Sequence, residues 1–309
     1  MEASTNTIII PDLKTKEQKR EEGRRRALEM AIAKQSNESN TSTPNNKRRG
    51  NRKSDRHGAR NQHRHKHFAK WILDKFPHIV RECSSSSSST DEATMNNRHV
   101  LDIAGGKGEL SARFALCHSL RVVMIDPRPA DVASVYLNSV VPKLPKKWQH
   151  SLEERLKHTP SFIEDELDKR FSQLVTHFSV ASDVDICSDG DGGVDCKVLL
   201  FEDEAVEKAV RNASLIIGLH ADGATEAIVD AALRYSKPFV IVPCCVFPNL
   251  FRHRFIYVED DDAGNGNEKK VAVRSHEQFC QYLLDRDDRF QQEVLPFEGR
   301  NVAIWWDGK

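Results

Sequence analysis

The sequence lacks a long apolar segment and has few cysteines, which argues against a membrane protein and against a disulfide-stabilised secreted protein. No stretch of its 309 residues approaches the roughly 18 apolar residues of a membrane span, and the short Ile8–Ile10 cluster is not the core of a secretory signal. The seven cysteines are odd in number and lack paired spacing, which argues against a disulfide-stabilised secreted domain. We therefore expect an intracellular protein of the nucleus or cytoplasm, without membrane contact.

A net charge is also lacking, because 46 Lys and Arg residues balance 46 Asp and Glu residues. Taken alone, this neutrality argues against a nucleic-acid partner. The two signs are unevenly distributed, however. Residues 1–70 contain 18 basic and 8 acidic side chains, a balance of +10, and the remaining residues contain 28 and 38, a balance of −10. The sequence is therefore a basic segment joined to an acidic body.

Residues 1–66 contain too few apolar side chains to bury a core, so we predict a largely disordered basic arm. Its cationic tract, residues 47–66, would gain affinity for an RNA backbone by releasing counterions. It offers no aromatic side chain for base stacking before Phe68. RNA is the expected partner, and a nuclear address is an equally open interpretation. Metal binding by the interspersed histidines is disfavoured by the surrounding positive charge.

A folded domain is predicted over residues 67–309. Phe68, Ile72 and Phe76 recur at helical spacing before Pro77, which predicts an amphipathic helix. After a polyserine tract, short apolar strands alternate with helices, a pattern typical of an α/β fold with a mostly parallel, Rossmann-like sheet. The predicted strands are 100–104, 121–125, 197–201, 214–219 and 238–242.

Two regions depart from this alternation. Residues 130–178 look mainly helical, and an insertion is predicted at about 140–195. Its acidic, glycine-rich part, residues 183–195, does not match the aspartate spacing of an EF-hand, so we interpret it as a solvated loop. At the end of the chain, strands 291–295 and 301–306 are predicted to form an antiparallel hairpin at the edge of the sheet.

The most informative segment runs from Val100 to Leu110 and reads VLDIAGGKGEL. Its glycines follow the first strand, where they allow the backbone to approach a ligand closely, and the next helix begins with unpaired N–H groups. Asp126 closes the following strand about 20 residues later, where an acidic residue accepts hydrogen bonds from ribose hydroxyls. The pattern indicates a site for a nucleoside cofactor.

Two phosphate-binding patterns fit this segment poorly. A Walker A loop requires Ser or Thr after Gly-Lys, whereas Gly108 follows Lys107 here. A dinucleotide fingerprint would place Ser111 where the third glycine belongs, and it leaves Asp102 without a role. A carboxylate in the loop would repel a pyrophosphate and attract a cation. A dinucleotide site is therefore a weak alternative.

The segment resembles the glycine-rich loop of class I S-adenosylmethionine-dependent methyltransferases, in which an acidic residue is followed by three glycines at alternate positions. Alanine replaces the first of these glycines here. The resemblance implies that S-adenosylmethionine is the cofactor. Asp102 would hold the amino end of its methionine, the glycine-rich backbone would line it, and Asp126 would bind its ribose. The predicted cofactor-binding residues are Asp102, Ala104, Gly105, Gly106, Gly108 and Asp126.

The second half of the chain adds a finer resemblance. Residues 218–225 read GLHADGAT, and residues 243–245 read PCC. Together they resemble a methyltransferase subgroup with GLHxCG at the fourth strand and PCC at the fifth, which includes RNA-modifying enzymes. Asp222 replaces the cysteine of the first segment, and the match extends roughly from Trp71 to Trp306. The terminal hairpin distinguishes these methyltransferases from nicotinamide dehydrogenases.

Four residues that follow the fourth and fifth strands are candidates for catalysis: His220, Asp222, Cys244 and Cys245. His220 could remove a proton from an acceptor, because its ordinary pKa is close to neutrality, or it could only cap the next helix. Asp222 could orient His220 or hold an amine. The adjacent cysteines should diverge at the strand end, so we predict no metal site. Either both pack in the core or one acts as a nucleophile.

We predict an in-line methyl transfer from S-adenosylmethionine to RNA, with Arg252 and Arg254 beside the cleft as further RNA contacts. Two alternatives stay open. The acceptor could be a protein or a small molecule instead of RNA. The chain could also be a catalytically silent methyltransferase-like binding module, for which Ala104 and Asp222 are the warning signs.

Overall fold

The structure, a computed structural model, describes residues 63–84, 98–180, 201, 203–259 and 268–309. None of the helices in these ranges is long and apolar enough to cross a membrane. The strands are β1 His99–Ile103, β2 Val122–Ile125, β3 Phe171–Leu174, β4 Ala213–Leu219, β5 Phe239–Val242, β6 Phe255–Glu259, β7 Glu268–Ala272, β8 Gln291–Val294 and β9 Val302–Trp306. The α-helices of the described residues are α1 Arg64–Lys75, α2 His78–Cys83, α3 Glu109–Ala112, α4 Val132–Val135, α5 Lys146–His158, α6 Phe162–Arg170, α7 Glu204–Asn212, α8 Thr225–Arg234 and α9 His276–Leu284.

Seven of the described strands form one sheet, in the order β3-β2-β1-β4-β5-β9-β8. Strands β1 to β5 are parallel, and β9 runs antiparallel to both of its neighbours. The predicted Rossmann-like α/β fold with a C-terminal antiparallel hairpin is therefore confirmed. Because β1 and β4 are neighbours although β2 and β3 lie between them in the chain, the sheet changes its winding direction there. Open α/β sheets bind ligands at such a switch point, beyond the carboxyl ends of the strands.

Helices cover both faces of this sheet, so its central strands are buried on both sides. Strand β1 is buried at every position, and β4 is buried at all but the last. On one face α1, α3 and α4 pack around side chains such as Phe114. On the other, α7, α8 and α9 pack around side chains such as Phe239. This two-sided burial explains why the central strands read as continuous apolar runs.

The predicted amphipathic helix is α1, and it docks on the terminal hairpin. The Phe76 ring meets Trp305 of β9 edge-on, with ring centroids 5.8 Å apart. Trp71 Nε1 donates a hydrogen bond to Glu293 Oε1 of β8 at 2.8 Å. The helix begins at Arg64, slightly before the predicted start of the folded domain. The buried apolar side chains Phe68 and Ile72 lie in the helix, and Phe76 directly follows it.

The prediction that residues 130–178 are mostly helical is wrong at β3, Phe171–Leu174. This strand forms one edge of the sheet, where no continuous apolar run is needed, so the sequence FSQL carries little strand signal. The hairpin of β6 and β7 is a further element that the periodicity does not predict. Of the predicted strand 197–201 only Phe201 is described, and the loop 183–195 and the arm up to residue 62 lie outside the described residues.

Replacing Phe76 with alanine should lower the free energy of unfolding by about 3–5 kcal/mol, because it leaves a cavity between α1 and the terminal hairpin of β8 and β9. Urea unfolding followed by circular dichroism measures this change. The matched control is Lys70→Ala, on the exposed face of the same helix, which should alter stability by less than about 0.5 kcal/mol. Equal and small effects of the two substitutions would contradict the docking of α1.

Candidate functional site

The predicted site residues meet at one edge of the sheet, beyond the carboxyl ends of four parallel strands. Asp102 and Gly105 lie at the end of β1, Asp126 follows β2, His220 follows β4 and Cys244 comes shortly after β5. Because β1 pairs with β4, the switch point divides the site in two. We call the ends of β1 and β2 the glycine side and the ends of β4 and β5 the histidine side.

Asp102 is the central polar group of the glycine side. Its side chain is 1% exposed and accepts a hydrogen bond from Ser111 Oγ at 2.7 Å. Burial raises the pKa of Asp102 to about 7, although the hydrogen bond from Ser111 acts to lower it, and the nearby charge of Asp126 adds to the rise. A carboxyl group buried in this way is stabilised in its charged form by a cationic partner.

The turn after β1 requires glycine for two separate reasons. A Cβ atom at Gly105 would lie 2.6 Å from Met124 Sδ and 2.9 Å from Asp102 Oδ2, so any side chain there would have to displace the buried Met124 or the Asp102 carboxyl group. Gly106 has a φ angle of +63°, in the region that glycine adopts without steric cost. Ala104, which replaces the first glycine of the pattern, also has a positive φ of 55°, and this conformation costs roughly 1–2 kcal/mol.

Asp126 holds the same turn from the neighbouring strand. Its carboxylate accepts a hydrogen bond from the Gly106 N–H at 2.9 Å and further bonds from the backbone and guanidinium of Arg128. Burial acts to raise the pKa of Asp126, but the hydrogen bonds from Arg128 and Gly106 outweigh it and lower the pKa. Asp126 is therefore ionised at neutral pH. The Arg128 side chain is 75% exposed, so it can leave the carboxylate when a ligand arrives.

Two further residues support the glycine side, and the sequence patterns did not single them out. Ser111 lies in α3 and donates to Asp102, as described above. Gln173 lies on β3, where its Nε2 donates to the Arg128 carbonyl at 2.8 Å and its Oε1 accepts from the Ala130 N–H at 3.0 Å. A small hydroxyl residue in the first turn after the glycines was a usable signal for Ser111. Nothing local identifies Gln173, because its role depends on the strand that was missed.

His220 is the group on the histidine side that can accept a proton. It follows β4 with a φ angle of +59°, and its backbone N–H donates a hydrogen bond to the Val242 carbonyl at 3.1 Å. Burial, together with the nearby charges of Arg64 and His65, lowers the pKa of His220 to about 4, although Asp222 acts to raise it, so the imidazole is neutral at neutral pH. Its Nδ1 is buried and has no hydrogen-bond partner among the described residues.

Cys244, Cys245 and Asp222 form a compact cluster, so the expectation that the adjacent cysteine side chains diverge is wrong. The two Sγ atoms lie 3.5 Å apart, and the Cys244 thiol donates to Asp222 Oδ1 at 3.0 Å. Burial and the Asp222 carboxylate raise the pKa of Cys244 well above its ordinary value. The free thiol is therefore protonated at neutral pH, which disfavours a nucleophilic role in this state.

The predicted role of Arg254 as a contact for RNA needs correction. Its side chain is 1% exposed, its Nε donates to Glu226 Oε2 at 2.8 Å, and its guanidinium lies 3.7 Å from the centroid of the Phe251 ring. Arg254 therefore fastens the segment after β5 to α8 and is not available to a macromolecule at the surface. Arg252, by contrast, is exposed.

Two basic side chains, one of them in the first turn of α1, contact the glycine side. His65 Nδ1 lies 3.3 Å from Glu109 Oε2, and Lys143 Nζ lies 3.0 Å from Oε1 of the same carboxylate. Burial acts to raise the pKa of Glu109, but His65 and Lys143 outweigh it and lower the pKa to about 2. Because Glu109 directly follows the glycine-rich turn, this contact places the first turn of α1 beside the glycine side.

The two sides together have the chemistry of a site for two ligands. The glycine side offers two carboxylates and a turn that a ligand can approach closely. The histidine side offers a neutral imidazole with an unpaired nitrogen. The charge of Asp222 acts on Arg128, so the two sides are close enough to interact electrostatically. The arrangement can hold a ligand with cationic and hydroxyl groups and can deprotonate a second molecule next to it.

The raised pKa of Asp102 should make stability depend on pH. Its value of about 7 exceeds that of an unfolded aspartate, about 3.9, so the folded state binds the proton more tightly. The resulting stabilisation is complete below about pH 4 and is lost as the pH rises to about 7, with a slope of at most about 1.4 kcal/mol per pH unit.

Asp102→Asn isolates this contribution, because an amide has no proton to lose in this range. The difference in free energy of unfolding, wild type minus variant, should therefore fall between about pH 4 and pH 7 and stay constant above. Urea unfolding at a series of pH values, without added ligand, measures it. A difference that does not change with pH would contradict the buried carboxyl group.

No protein-family model and no curated protein matches the chain. Several solved structures are similar to it. One is the methyltransferase domain of bacterial CtHen1, which is 9% identical. The alignment covers 70% of this chain and 92% of the CtHen1 chain, with a TM-score of 0.33. An rRNA methylase from Streptococcus thermophilus is 10% identical, with coverages of 76% and 94% and a TM-score of 0.29. CalS10 from Micromonospora echinaspora, an amino pentose methyltransferase solved with S-adenosylmethionine bound, is 12% identical, with coverages of 85% and 99% and a TM-score of 0.30. Similarities this weak assign no reaction to the chain.

Proposed function

We propose that this chain is an S-adenosylmethionine-dependent methyltransferase that acts on RNA. The observation that carries the proposal is the pair of buried carboxylates, Asp102 and Asp126, at the ends of two neighbouring parallel strands beside the switch point. Between them lies a turn in which a side chain at Gly105 would press on Met124 and on Asp102 itself. Two carboxylates so placed suit a cofactor with an ammonium group at one end and ribose hydroxyls at the other.

The residues of the glycine side fit the charge of this cofactor. S-adenosylmethionine carries an ammonium and a sulfonium group and no phosphate. An ammonium beside Asp102 favours the carboxylate form that burial alone disfavours. Asp126 would exchange its contact with the exposed Arg128 side chain for the ribose hydroxyls. When bound, the cofactor supplies an electrophilic methyl group.

The histidine side would hold the methyl acceptor. The neutral imidazole of His220 can take the proton that leaves an acceptor hydroxyl or amine as the methyl group is transferred. Its low pKa makes it a weak base, so most of the acceleration comes from holding the two reactants in line and excluding water. In this arrangement His220 acts on the acceptor, and Asp102 and Asp126 act on the cofactor.

RNA is proposed as the acceptor because of positive charge near the site. The basic tract 47–66 binds phosphate backbones through counterion release. The helix that continues from it, α1, reaches the glycine side through the pair of His65 and Glu109. Arg252 adds an exposed cation in the segment after β5. The resemblance of the GLHADGAT and PCC segments to a subgroup that includes RNA-modifying enzymes favours the same acceptor.

Calorimetric titration with S-adenosylmethionine, followed by transfer of labelled methyl groups to fractionated cellular RNA and protein, tests the proposal. Binding and label in RNA are expected. Label only in protein or in small molecules would overturn RNA as the acceptor. A folded protein that shows no binding heat and no thermal shift would be the silent module suggested by the strained Ala104.

The substitution Gly105→Ala should weaken cofactor binding by about 10- to 100-fold, because its Cβ presses on Asp102 and Met124, overpacking of this kind costs about 1–3 kcal/mol and about 1.4 kcal/mol is tenfold in affinity. Gly223→Ala is a matched control, since a Cβ at that position would be 3.7 Å from the nearest side chain, Phe251. Isothermal titration measures both, and circular dichroism confirms that both variants fold. Equal affinities for the cofactor would contradict the proposed binding turn.

Neutralising the arm should weaken RNA binding without changing cofactor affinity. In a quadruple variant, the residues changed to glutamine are Arg48, Arg49, Arg52 and Lys53. The slope of log affinity against log salt should become shallower by about 0.7 for each lost phosphate contact. Lys157→Gln on the exposed face of α5 is the control. Fluorescence anisotropy with a single-stranded RNA measures the slopes, and an unchanged slope in the quadruple variant would exclude the arm as an RNA contact.

A further inference from the structure

Two thiols and one carboxylate converge on the histidine side, and the proposed methyl transfer does not use them. Asp222 comes from the turn after β4, and Cys244 and Cys245 come from the segment after β5. Their three potential ligand atoms lie within 4.8 Å of one another. Among the described residues, this is the one group of His, Cys, Asp or Glu side chains arranged so closely.

The distances are close to those of a tetrahedral metal site. Bonds of about 2.3 Å from zinc to sulfur and about 2.1 Å from zinc to oxygen imply about 3.8 Å between two sulfur ligands and about 3.6 Å between sulfur and oxygen. The corresponding separations here are 3.5 Å between the two Sγ atoms and 3.0 Å between Cys244 Sγ and Asp222 Oδ1. Movements of about half an ångström therefore bring these two pairs to coordination distances. The third pair, Cys245 Sγ and the Asp222 carboxylate, lies within 4.8 Å.

The donor set points to a particular cation. Magnesium and calcium prefer sites made of oxygen atoms, and copper(I) prefers thiolates and thioethers. Zinc accepts cysteine and aspartate together, and sites with three protein ligands keep a fourth position open for water or a substrate atom. Asp222 is exposed and both cysteines are half-buried, so an ion can reach the cluster from solvent.

We infer that Asp222, Cys244 and Cys245 bind one Zn²⁺ ion at the carboxyl ends of β4 and β5. Binding exchanges the two thiol protons, which pass to solvent, for one divalent cation, and no group is oxidised or reduced. The ion replaces the hydrogen bond that now joins Cys244 to Asp222. The site shares no ligand with the glycine side, so it goes beyond the proposed function, and either proposal can fail without the other.

Cobalt titration of the reduced, metal-stripped full chain tests the inference. Thiolate ligands give Co²⁺ a charge-transfer absorption in the near ultraviolet that histidine ligands do not give, so the histidines of the arm cannot imitate the signal. The band should saturate at one equivalent of Co²⁺, and Zn²⁺, which lies above cobalt in the affinity order, should abolish it. Absence of a saturating band in the folded protein would overturn the inference.

Variants identify the ligands. The double substitution Cys244→Ser and Cys245→Ser should remove the band, whereas Cys117→Ser, a half-buried thiol outside the cluster, should leave it unchanged. Asp222→Asn changes an exposed side chain without altering its shape, so it stays informative if the double variant does not fold. It should weaken Zn²⁺ at least 10-fold, measured by competition with a chromophoric chelator, since even residues that only support a ligand cost about 10–100-fold. Wild-type affinity in Asp222→Asn, or an undiminished band in the folded double variant, would refute the site.

Discussion

A carboxyl group buried at the end of β1 is the constraint around which the glycine side is built. Asp102 has almost no contact with solvent, so its oxygens need partners from the protein or from a ligand. Ser111 supplies one hydrogen bond, and Gly105 leaves open the space that a Cβ would take from Asp102 Oδ2. Asp126 places a second negative charge on the adjacent strand, and Arg128 compensates for it from the surface. Together these residues form a site that attracts positive charge.

Close packing between β4 and α8 determines the backbone of the histidine side. A Cβ at Gly218 would lie 2.5 Å from Ile228 Cδ1, so α8 packs directly against β4 and the turn that joins them is short. In that turn His220 and Asp222 adopt positive φ angles of 59° and 49°, each at a cost of roughly 1–2 kcal/mol. Such strain persists where the surrounding structure determines the backbone, and β4, buried along nearly its whole length, provides that support.

Structural features that depend on local sequence patterns were predicted well from the sequence. Buried strands such as β4, amphipathic helices such as α1, and the glycine turn with Asp102 each carry their signal within a few residues. Features that depend on distant partners were missed or misassigned. Arg254 is buried because Glu226, 28 residues away, neutralises it, and Cys244 turns toward Asp222, 22 residues away. The edge strand β3 lacks the apolar run by which buried strands are recognised.

The opposed charges of the two parts of the sequence have separate roles in the proposed enzyme. An acidic body with buried carboxylates suits a cationic cofactor but repels RNA phosphates. We propose that the basic arm offsets that repulsion; its last residues, 64–66, lie in the first turn of α1. There Arg64 and His65 help to lower the pKa of His220 after burial has already done so. Burial, with a smaller contribution from these charges, thus keeps the imidazole neutral, and only a neutral imidazole can accept the proton released by methyl transfer.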